Sequence, residues 1–165
     1  ALGLTGADGN VLVAEKRPVT DVDFGFVGDI TEANVNTDFL SSIINQNIIP
    51  VFSAITHDGQ GQLFNTNADT VASTIAVALA RLYDVRLIYS FEKKGVLKDI
   101  NDENSVISSI NEANFNSFVE QKIIADGMIP KITNALQAVN KGVSQVIIKN
   151  ANDLLDQTAG TIVTK

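Results

Sequence analysis

Cysteine and tryptophan are absent from the 165-residue sequence, and histidine and methionine occur once each. Because there is no cysteine, the chain can form neither a disulfide framework nor a thiolate metal site. The one histidine, His57, lies in the polar stretch THDGQG, which predicts a surface turn and argues against a histidine-based metal site or catalytic triad. The sequence also has no Walker-type loop, dinucleotide fingerprint or nucleophile elbow.

Positive charge and long apolar runs are also scarce. Lysine and arginine number 12 against 19 aspartate and glutamate residues, and a chain with this formal charge of −7 repels nucleic acid backbones. No apolar run reaches membrane-spanning length and no secretory signal is visible, which predicts a cytoplasmic protein without a membrane partner. Because 45% of the residues are apolar, the sequence predicts one folded domain with a sizeable core.

Apolar strands alternate with amphipathic helices along the chain. The predicted strands, one of them a hairpin over 21–30, are 10–17, 21–30, 48–55, 85–92, 144–151 and 160–164. The first predicted helix, 39–47, is capped by Asp38 and ends at Asn47 in the left-handed conformation. The other predicted helices are 70–82, 104–111, 115–124 and one that DGMIPK opens at 126–131. This alternation predicts an α/β fold, a three-layer αβα sandwich with a mainly parallel sheet. Ligands of such folds bind beyond the carboxyl ends of the strands.

The segment FNTNADTVAS, residues 64–73, places Asn65, Asn67 and Asp69 directly before an apolar helix. A turn followed by a helix cap explains this pattern, because asparagine and aspartate are favoured in both. The pattern also suits an anionic ligand, because side-chain amides donate hydrogen bonds and the N–H groups of a helix N-terminus favour negative charge. The residues alone leave both interpretations open.

Two lysine-containing segments present the same choice. FEKKGVL, residues 91–97, is either a solvated lysine pair in a turn closed by Gly95 or a loop that places Lys93 or Lys94 near phosphate. In DGMIPK, Pro130 suits a first helical turn because it has no N–H to satisfy, whereas Lys131 opposes the helix dipole. A cation at that position indicates an anionic partner or is a solvated surface lysine.

Together and in this order, NTNAD and DGMIPK resemble the acetylglutamate kinases of the amino acid kinase family. The stretches FGFVGDI, IPVFSAI, GQLFNTNAD, KKGVL, DGMIPKITNAL and GTIV all follow the family order, so the resemblance covers essentially the whole chain. It implies an enzyme that transfers the γ-phosphoryl group of ATP to the side-chain carboxylate of N-acetyl-L-glutamate, the second step of arginine biosynthesis. Magnesium would bridge the phosphates of ATP, with no metal site made by the protein itself.

The resemblance also implies roles for single residues. Asn65, with Asn67 in the same loop, would bind the acylglutamate. Asp69 would orient the catalytic lysines, and Lys131 would stabilise charge on the transferred phosphoryl group. The nucleotide pocket would be lined by Glu92, Lys93, Lys94, Gly95, Val96, Leu97, Ile123, Ile124 and Ala125.

Several family features are absent from this sequence. Family members begin with a Lys-x-Gly-Gly strand, followed by a second glycine-rich loop and a substrate-binding arginine, and this sequence has none of the three. It opens ALGLTGADG, without an initiator methionine. The resemblance is therefore to the carboxyl-terminal two-thirds of the family, with the amino-terminal part missing, and the chain alone is expected to be inactive. On this view about 1–60 are the remainder of a substrate lobe and about 61–165 are a nucleotide-binding lobe.

Other interpretations stay open. The chain could be another amino acid kinase that acts on a different carboxylate or on carbamate, or a non-catalytic nucleotide-binding module. The sequence does not specify the acyl group of the substrate. The resemblance implies a homo-oligomer, at least a dimer, for the complete protein.

Overall fold

The computed structural model describes residues 1–124 and 126–165, and the contacts divide the chain into two units, Ala1–Leu79 and Ala80–Lys165. The sequence predicted a change of lobe near residue 60, and the assignment of a substrate lobe and a nucleotide lobe stays a prediction. Among the described residues, no helix has the length and apolar character needed to cross a membrane.

The strands of the first unit are short and lie in three two-stranded sheets. They are β1 (Leu2–Leu4), β2 (Glu15–Lys16), β3 (Gly28–Asp29), β4 (Pro50–Phe52), β5 (Ile55–His57) and β6 (Leu63–Asn65). β1 pairs with β4 in parallel, whereas β2–β3 and β5–β6 are antiparallel. The helices are α1 (Thr37–Ile44) and α2 (Ala68–Leu79), with 3-10 turns at Asp8–Asn10 and Glu32–Asn34.

Most of the predicted strand at 10–17 is not a strand. Within 10–17, only Glu15 and Lys16 form a strand ladder, and they pair with β3. Within the hairpin predicted over 21–30, only β3, Gly28–Asp29, is a strand. The N–H groups of the fully buried Val11 and Leu12 donate to the nearby carbonyls of Asp8 and Gly6, at 3.2 and 3.0 Å, rather than to a neighbouring strand. They belong instead to the core cluster of this unit, whose buried members are Val11, Leu12, Ala14, Ile30, Val35, Leu40, Phe64, Val71 and Ala78.

Asn36, rather than Asp38, caps α1. Its side-chain oxygen accepts a hydrogen bond from the Phe39 N–H at 3.1 Å, and its amide donates to the Gly9 carbonyl at 3.0 Å. Asp38 lies in the first turn, where a carboxylate is favourable to the helix dipole without being the cap. Asn47 has a φ of 58°, which confirms the predicted left-handed residue after this helix.

Gly28 lies at a point of close packing. A Cβ at this position would be 2.8 Å from the Cβ of Phe64 and 2.9 Å from the Cβ of Ala14. We expect Gly28→Ala to lower the free energy of unfolding by about 1–3 kcal/mol, because overpacking forces the backbone to shift. Urea unfolding followed by circular dichroism measures the change. Gly3→Ala is the control, since a Cβ there meets no atom within 4 Å; equal losses in the two variants would contradict the packing argument.

The second unit contains a four-stranded mixed sheet. Its strands are β7 (Arg86–Phe91), β8 (Ser109–Ile110), β9 (Gln145–Asn150) and β10 (Thr161–Val163), in the order β7-β9-β10-β8. β7 is parallel to β9 and β8 is parallel to β10, whereas β9 and β10 are antiparallel. The helices are α3 (Glu112–Glu120) and α4 (Ile129–Asn140), with 3-10 turns at Asp126–Met128 and Ala151–Asp153.

Helix α4 and strands β9 and β10 confirm the helix predicted after DGMIPK and the strands predicted at 144–151 and 160–164. The predicted inward face of α4 is buried at all four positions, Ile132, Ala135, Leu136 and Val139. The β-rich stretch VRLIYSFE, residues 85–92, predicts a buried strand, but the residues of β7 alternate between buried and exposed. Its exposed residues, Arg86, Ile88 and Ser90, share one face of the sheet, so among the described residues only the opposite face of this strand is covered.

The predicted helix at 104–111 is wrong. The hydroxyl of Ser105 donates to the main-chain carbonyls of Asp99 and Asp102, at 3.0 and 2.6 Å. Such local side-chain hydrogen bonds offer the backbone an alternative to a helix. The end of the predicted helix instead forms β8 beside β10.

Two other predicted helices have different ends. α2 ends at Leu79, and Leu82, predicted to lie on its apolar face, is 57% exposed. α3 covers Glu112–Glu120 rather than 115–124, because Asn111 caps it by accepting a hydrogen bond from the Asn114 N–H at 3.0 Å.

Candidate functional site

The NTNAD segment of the first unit links strand β6 to helix α2. Its main chain is fixed on both sides, because the Asn65 N–H donates to the Phe26 carbonyl at 2.8 Å and the Thr66 N–H donates to the Ala54 carbonyl at 2.9 Å. The side chain of Asn65 is exposed at the end of β6. The segment therefore presents the Asn65 amide to solvent on a backbone that is held by hydrogen bonds to Phe26 and Ala54.

Thr66, which the sequence analysis did not single out, anchors this segment. It is 3% exposed, and its hydroxyl donates to the Gly28 carbonyl at 2.9 Å and lies 2.8 Å from the hydroxyl of Thr56. Alternation was the available signal: Phe64 and Thr66 point inward, so the residue between them points outward. The buried hydroxyl pair thus anchors the strand end with the side chain of Asn65 on its exposed side.

Asn67 and Asp69 occupy the start of α2. The side-chain oxygen of Asn67 accepts a hydrogen bond from the Thr70 N–H at 3.0 Å, so this asparagine is a helix cap. Asp69 lies in the first turn and is partly buried. Helix capping therefore explains the side-chain oxygen of Asn67. It does not explain Asn65, which is not the capping residue of α2.

His57 is not a surface residue. It is 5% exposed in strand β5, and its Nδ1 accepts a hydrogen bond from the Gly59 N–H at 3.0 Å. Accepting at Nδ1 places the proton of the neutral ring on Nε2, which has no hydrogen-bond partner among the described residues. The predicted turn THDGQG begins two residues later, at Asp58, because strand β5 continues through His57.

In the second unit, the predicted nucleotide segment lines a cavity of about 190 Å³. Five of the residues predicted to bind a nucleotide lie in its wall: Lys93, Gly95, Val96, Leu97 and Ile123. Three further wall residues were not predicted: Phe91, Ile100 and Met128. A concave, mostly apolar pocket with a lysine at its edge is the usual form of a small-ligand site.

The other predicted nucleotide residues are placed differently. Glu92 and Lys94 are exposed and do not line this cavity, while Ile124 is 3% exposed and belongs to the core. Ala125 lies outside the described residues. Five of the nine predicted residues thus share one cavity wall, and nucleotide binding stays a prediction for all nine.

Lys131 lies in the first turn of α4, and this turn contains no acidic residue. Its side chain is partly buried, and its Nζ is 5.9 Å from the ring centroid of Tyr89 in β7. An ammonium group at this distance from an aromatic ring is attracted by the ring quadrupole. The lysine is therefore oriented near the N-terminus of a helix, where positive potential already favours an anion.

A second lysine of this unit, Lys149, is buried. It is 2% exposed, and its Nζ donates to the main-chain carbonyls of Asp153 and Asp156, at 3.3 and 2.6 Å. The hydroxyl of Thr158 and, with a smaller effect, its N–H donate hydrogen bonds to the carboxylate of Asp156 and lower the pKa of that group. Lys149 thus fixes the chain that follows β9, a role that the sequence analysis did not predict.

No group of three or more histidine, cysteine, aspartate or glutamate side chains is placed to hold a metal ion in residues 1–124 and 126–165.

A sequence profile decides the family. The profile of the amino acid kinase family matches residues 1–150. The chain belongs to the amino acid kinase family. This result confirms the family membership that NTNAD and DGMIPK indicated in the sequence.

Known members of the amino acid kinase family cover this chain from end to end. Acetylglutamate kinase of Phocaeicola vulgatus is 53% identical to it over 165 residues, which is 100% of this chain and 63% of that protein. The chain thus spans less than two thirds of the length of this curated relative. The predicted resemblance to acetylglutamate kinases is confirmed.

Solved structures confirm the amino acid kinase-like fold. The crystal structure of smu.665 from Streptococcus mutans is 30% identical and has a TM-score of 0.75, covering 99% of this chain and 60% of that one. N-acetylglutamate synthase from Neisseria gonorrhoeae, in complex with coenzyme A and L-arginine, has a TM-score of 0.80 at 23% identity, covering 98% of this chain and 37% of that one. The second likeness is one of fold alone.

Proposed function

We propose that this chain carries the larger part of an enzyme that phosphorylates the side-chain carboxylate of N-acetyl-L-glutamate with ATP, the second step of arginine biosynthesis. The observation that carries the proposal is the 53% identity with an acetylglutamate kinase over all 165 residues, NTNAD and DGMIPK included. A lower identity, or a match to one unit only, would favour a different substrate or a nucleotide-binding module.

The reaction joins a carboxylate oxygen of the substrate to the γ-phosphorus of ATP. The bond between that phosphorus and the bridging oxygen breaks, and the products are an acyl phosphate and ADP. No covalent intermediate with the protein is needed, so the absence of cysteine is no obstacle. The protein must bring two anions together and neutralise the phosphoryl oxygens.

Asn65 is the residue proposed to bind the acylglutamate. Its amide is exposed at the end of β6, and its main chain is fixed by the hydrogen bond to Phe26. The side-chain oxygen of Asn67 already caps α2, so its contribution to the substrate comes from its amide N–H groups. Both amides lie beside the N-terminus of α2, whose N–H groups favour an anionic substrate.

Lys131 and Asp69 are proposed to act on charge in this reaction. Lys131, near the ring of Tyr89 and at the N-terminus of α4, supplies positive charge to the transferred phosphoryl group. Asp69, at the start of α2, orients ammonium groups of the site. Phosphoryl transfer depends on this kind of positioning and charge neutralisation.

The cavity of the second unit is proposed to hold the nucleotide base. Its wall is mostly apolar, which suits the faces of a purine, and Lys93 at its edge suits a phosphate or ribose oxygen. Magnesium enters as part of the Mg-ATP substrate, because Mg²⁺ is usually held by substrate phosphates, water and one or two carboxylates. We also propose a cytoplasmic enzyme that is at least a dimer when complete.

Activity is tested on this sequence preceded by the segment of the Phocaeicola vulgatus enzyme that comes before the matched region, hereafter the completed chain. Mg-ATP and N-acetyl-L-glutamate should give ADP and an acyl phosphate, which hydroxylamine traps as a hydroxamate. Carbamate, aspartate and glutamate are the comparison substrates, and other N-acylglutamates test the acyl group. Turnover with carbamate or aspartate but not with an acylglutamate would contradict the substrate assignment. Nucleotide binding without turnover of any of them would indicate a binding module.

A further inference from the structure

The segment Glu92–Leu97, which forms part of the cavity wall, is held at its start by Asn150. The side-chain amide of Asn150 donates to the Glu92 carbonyl at 2.6 Å. The side-chain oxygen of Asn150 accepts a hydrogen bond from the Asn152 N–H at 2.9 Å, so both ends of the amide are used. This double contact fixes the orientation of the side chain and, through it, the point where the segment leaves β7.

Thr161 holds the same segment near its other end. The Val96 N–H donates to the hydroxyl oxygen of Thr161 at 2.8 Å, and Thr161 is fully buried. A Cβ at Gly95 would lie 2.8 Å from this hydroxyl, so the segment approaches Thr161 as closely as a glycine allows. Two of the cavity-wall residues, Lys93 and Gly95, lie between the two held points.

Asn150 and Thr161 both lie in strands of the four-stranded sheet. Asn150 ends β9, opposite Phe91 at the end of β7, and Thr161 begins β10, opposite Ile148 of β9. Lys149 ties down the chain between them through its hydrogen bonds to main-chain carbonyls. A buried lysine is costly unless its donors are satisfied, which makes this connection hard to rearrange.

We infer that Asn150 and Thr161 are positioning residues that hold the 92–97 segment in the conformation that binds the nucleotide. The inference rests on the proposed nucleotide site. A wall that is already ordered binds its ligand more tightly, because the ligand does not have to supply the free energy of ordering it. Neither residue lines the cavity, so each acts through the segment and not by contact with the ligand.

Thr161→Val tests the inference, because it keeps the shape of the side chain and removes the acceptor of the Val96 N–H. In the completed chain we expect the Kd for Mg-ADP, measured by calorimetry, to rise about 10-fold or more, since a buried N–H left without a partner drives the segment to another conformation. The KM for ATP should rise with it, and the KM for N-acetyl-L-glutamate should stay within about twofold. Thr161→Ser keeps the hydroxyl and should restore nucleotide binding.

Asn150→Asp is an independent second variant. It keeps the oxygen that accepts from Asn152 and removes the donor to Glu92, so it should also raise the Kd for Mg-ADP and leave the acylglutamate KM unchanged. Thr164→Val is the matched control, because the hydroxyl of Thr164 makes no hydrogen bond within residues 1–124 and 126–165. Urea unfolding of every variant shows how much is lost through stability alone.

The outcomes separate the inference from the function on which it rests. If the wild-type completed chain binds Mg-ADP and both variants, shown to be folded, bind it within twofold of wild type, the positioning role is wrong and the nucleotide site stands. If the wild type binds no Mg-ADP, the nucleotide site is wrong and the inference is overturned with it. If Thr161→Val does not fold, Thr161→Ser and Asn150→Asp decide the question.

Discussion

Replacement of Lys131 by alanine in the completed chain is expected to lower kcat by about 100-fold or more. The ammonium group is placed at the N-terminus of α4, in a first turn without an acidic residue, and near the ring of Tyr89. Charge that a fixed cation stabilises mainly in the transition state affects kcat more than ground-state binding. The KM for ATP should therefore change less than kcat, and steady-state kinetics with both substrates measures the difference.

Lys98→Ala is the control for this variant, because Lys98 is an exposed lysine of the same unit with no assigned role. Its kcat should stay within about twofold of wild type, as expected for a surface substitution. Lys131→Arg separates charge from geometry: it retains the positive charge but replaces a compact ammonium with a planar guanidinium, so partial activity is expected. An unchanged kcat in Lys131→Ala would remove this residue from the mechanism.

The sequence predicted best where local pattern and tertiary structure agree. The start of α4 was predictable because Pro130 has no N–H and therefore suits a first helical turn. Its four buried apolar residues were predictable because they recur with the helical period. The helix after NTNAD was found for the same reason, and its cap by Asn67 is a contact between near neighbours. A local pattern also predicted a helix at 104–111, and this prediction was wrong. The hydroxyl of Ser105 donates to the main-chain carbonyls of Asp99 and Asp102, and the chain does not form a helix there.

The candidate site was only partly visible in the sequence, because its supports come from distant residues. Asn150 is 58 residues from Glu92, and Thr161 is 65 residues from Val96. Thr66 bonds to Gly28 across 38 residues. A motif contains the residues proposed to bind a ligand, such as Asn65, whereas the hydroxyls and amides that hold the backbone of the motif have no fixed spacing from it.

Asn65→Ala is expected to raise the KM for N-acetyl-L-glutamate by about 10- to 100-fold while the KM for ATP changes less than about threefold, since the loss of a hydrogen bond to a charged ligand costs about 1.5–3 kcal/mol. Asn65→Asp should have the larger effect, because it removes the donor and sets a negative charge against an anionic substrate. The fold should tolerate both variants, since the side chain is exposed and the anchor of the segment is Thr66.

Asn45→Ala, an exposed asparagine of the same unit, is the control for the loss of an amide at the surface. It should leave both KM values unchanged, and urea unfolding of all three variants checks that the effect of Asn65 is not a loss of stability. If the KM for ATP alone rises in Asn65→Ala, this residue belongs to the nucleotide side of the reaction and the substrate assignment is wrong. If the KM for the acylglutamate rises alone, the exposed amide beside α2 binds the substrate, and the capping interpretation holds for Asn67 but not for Asn65.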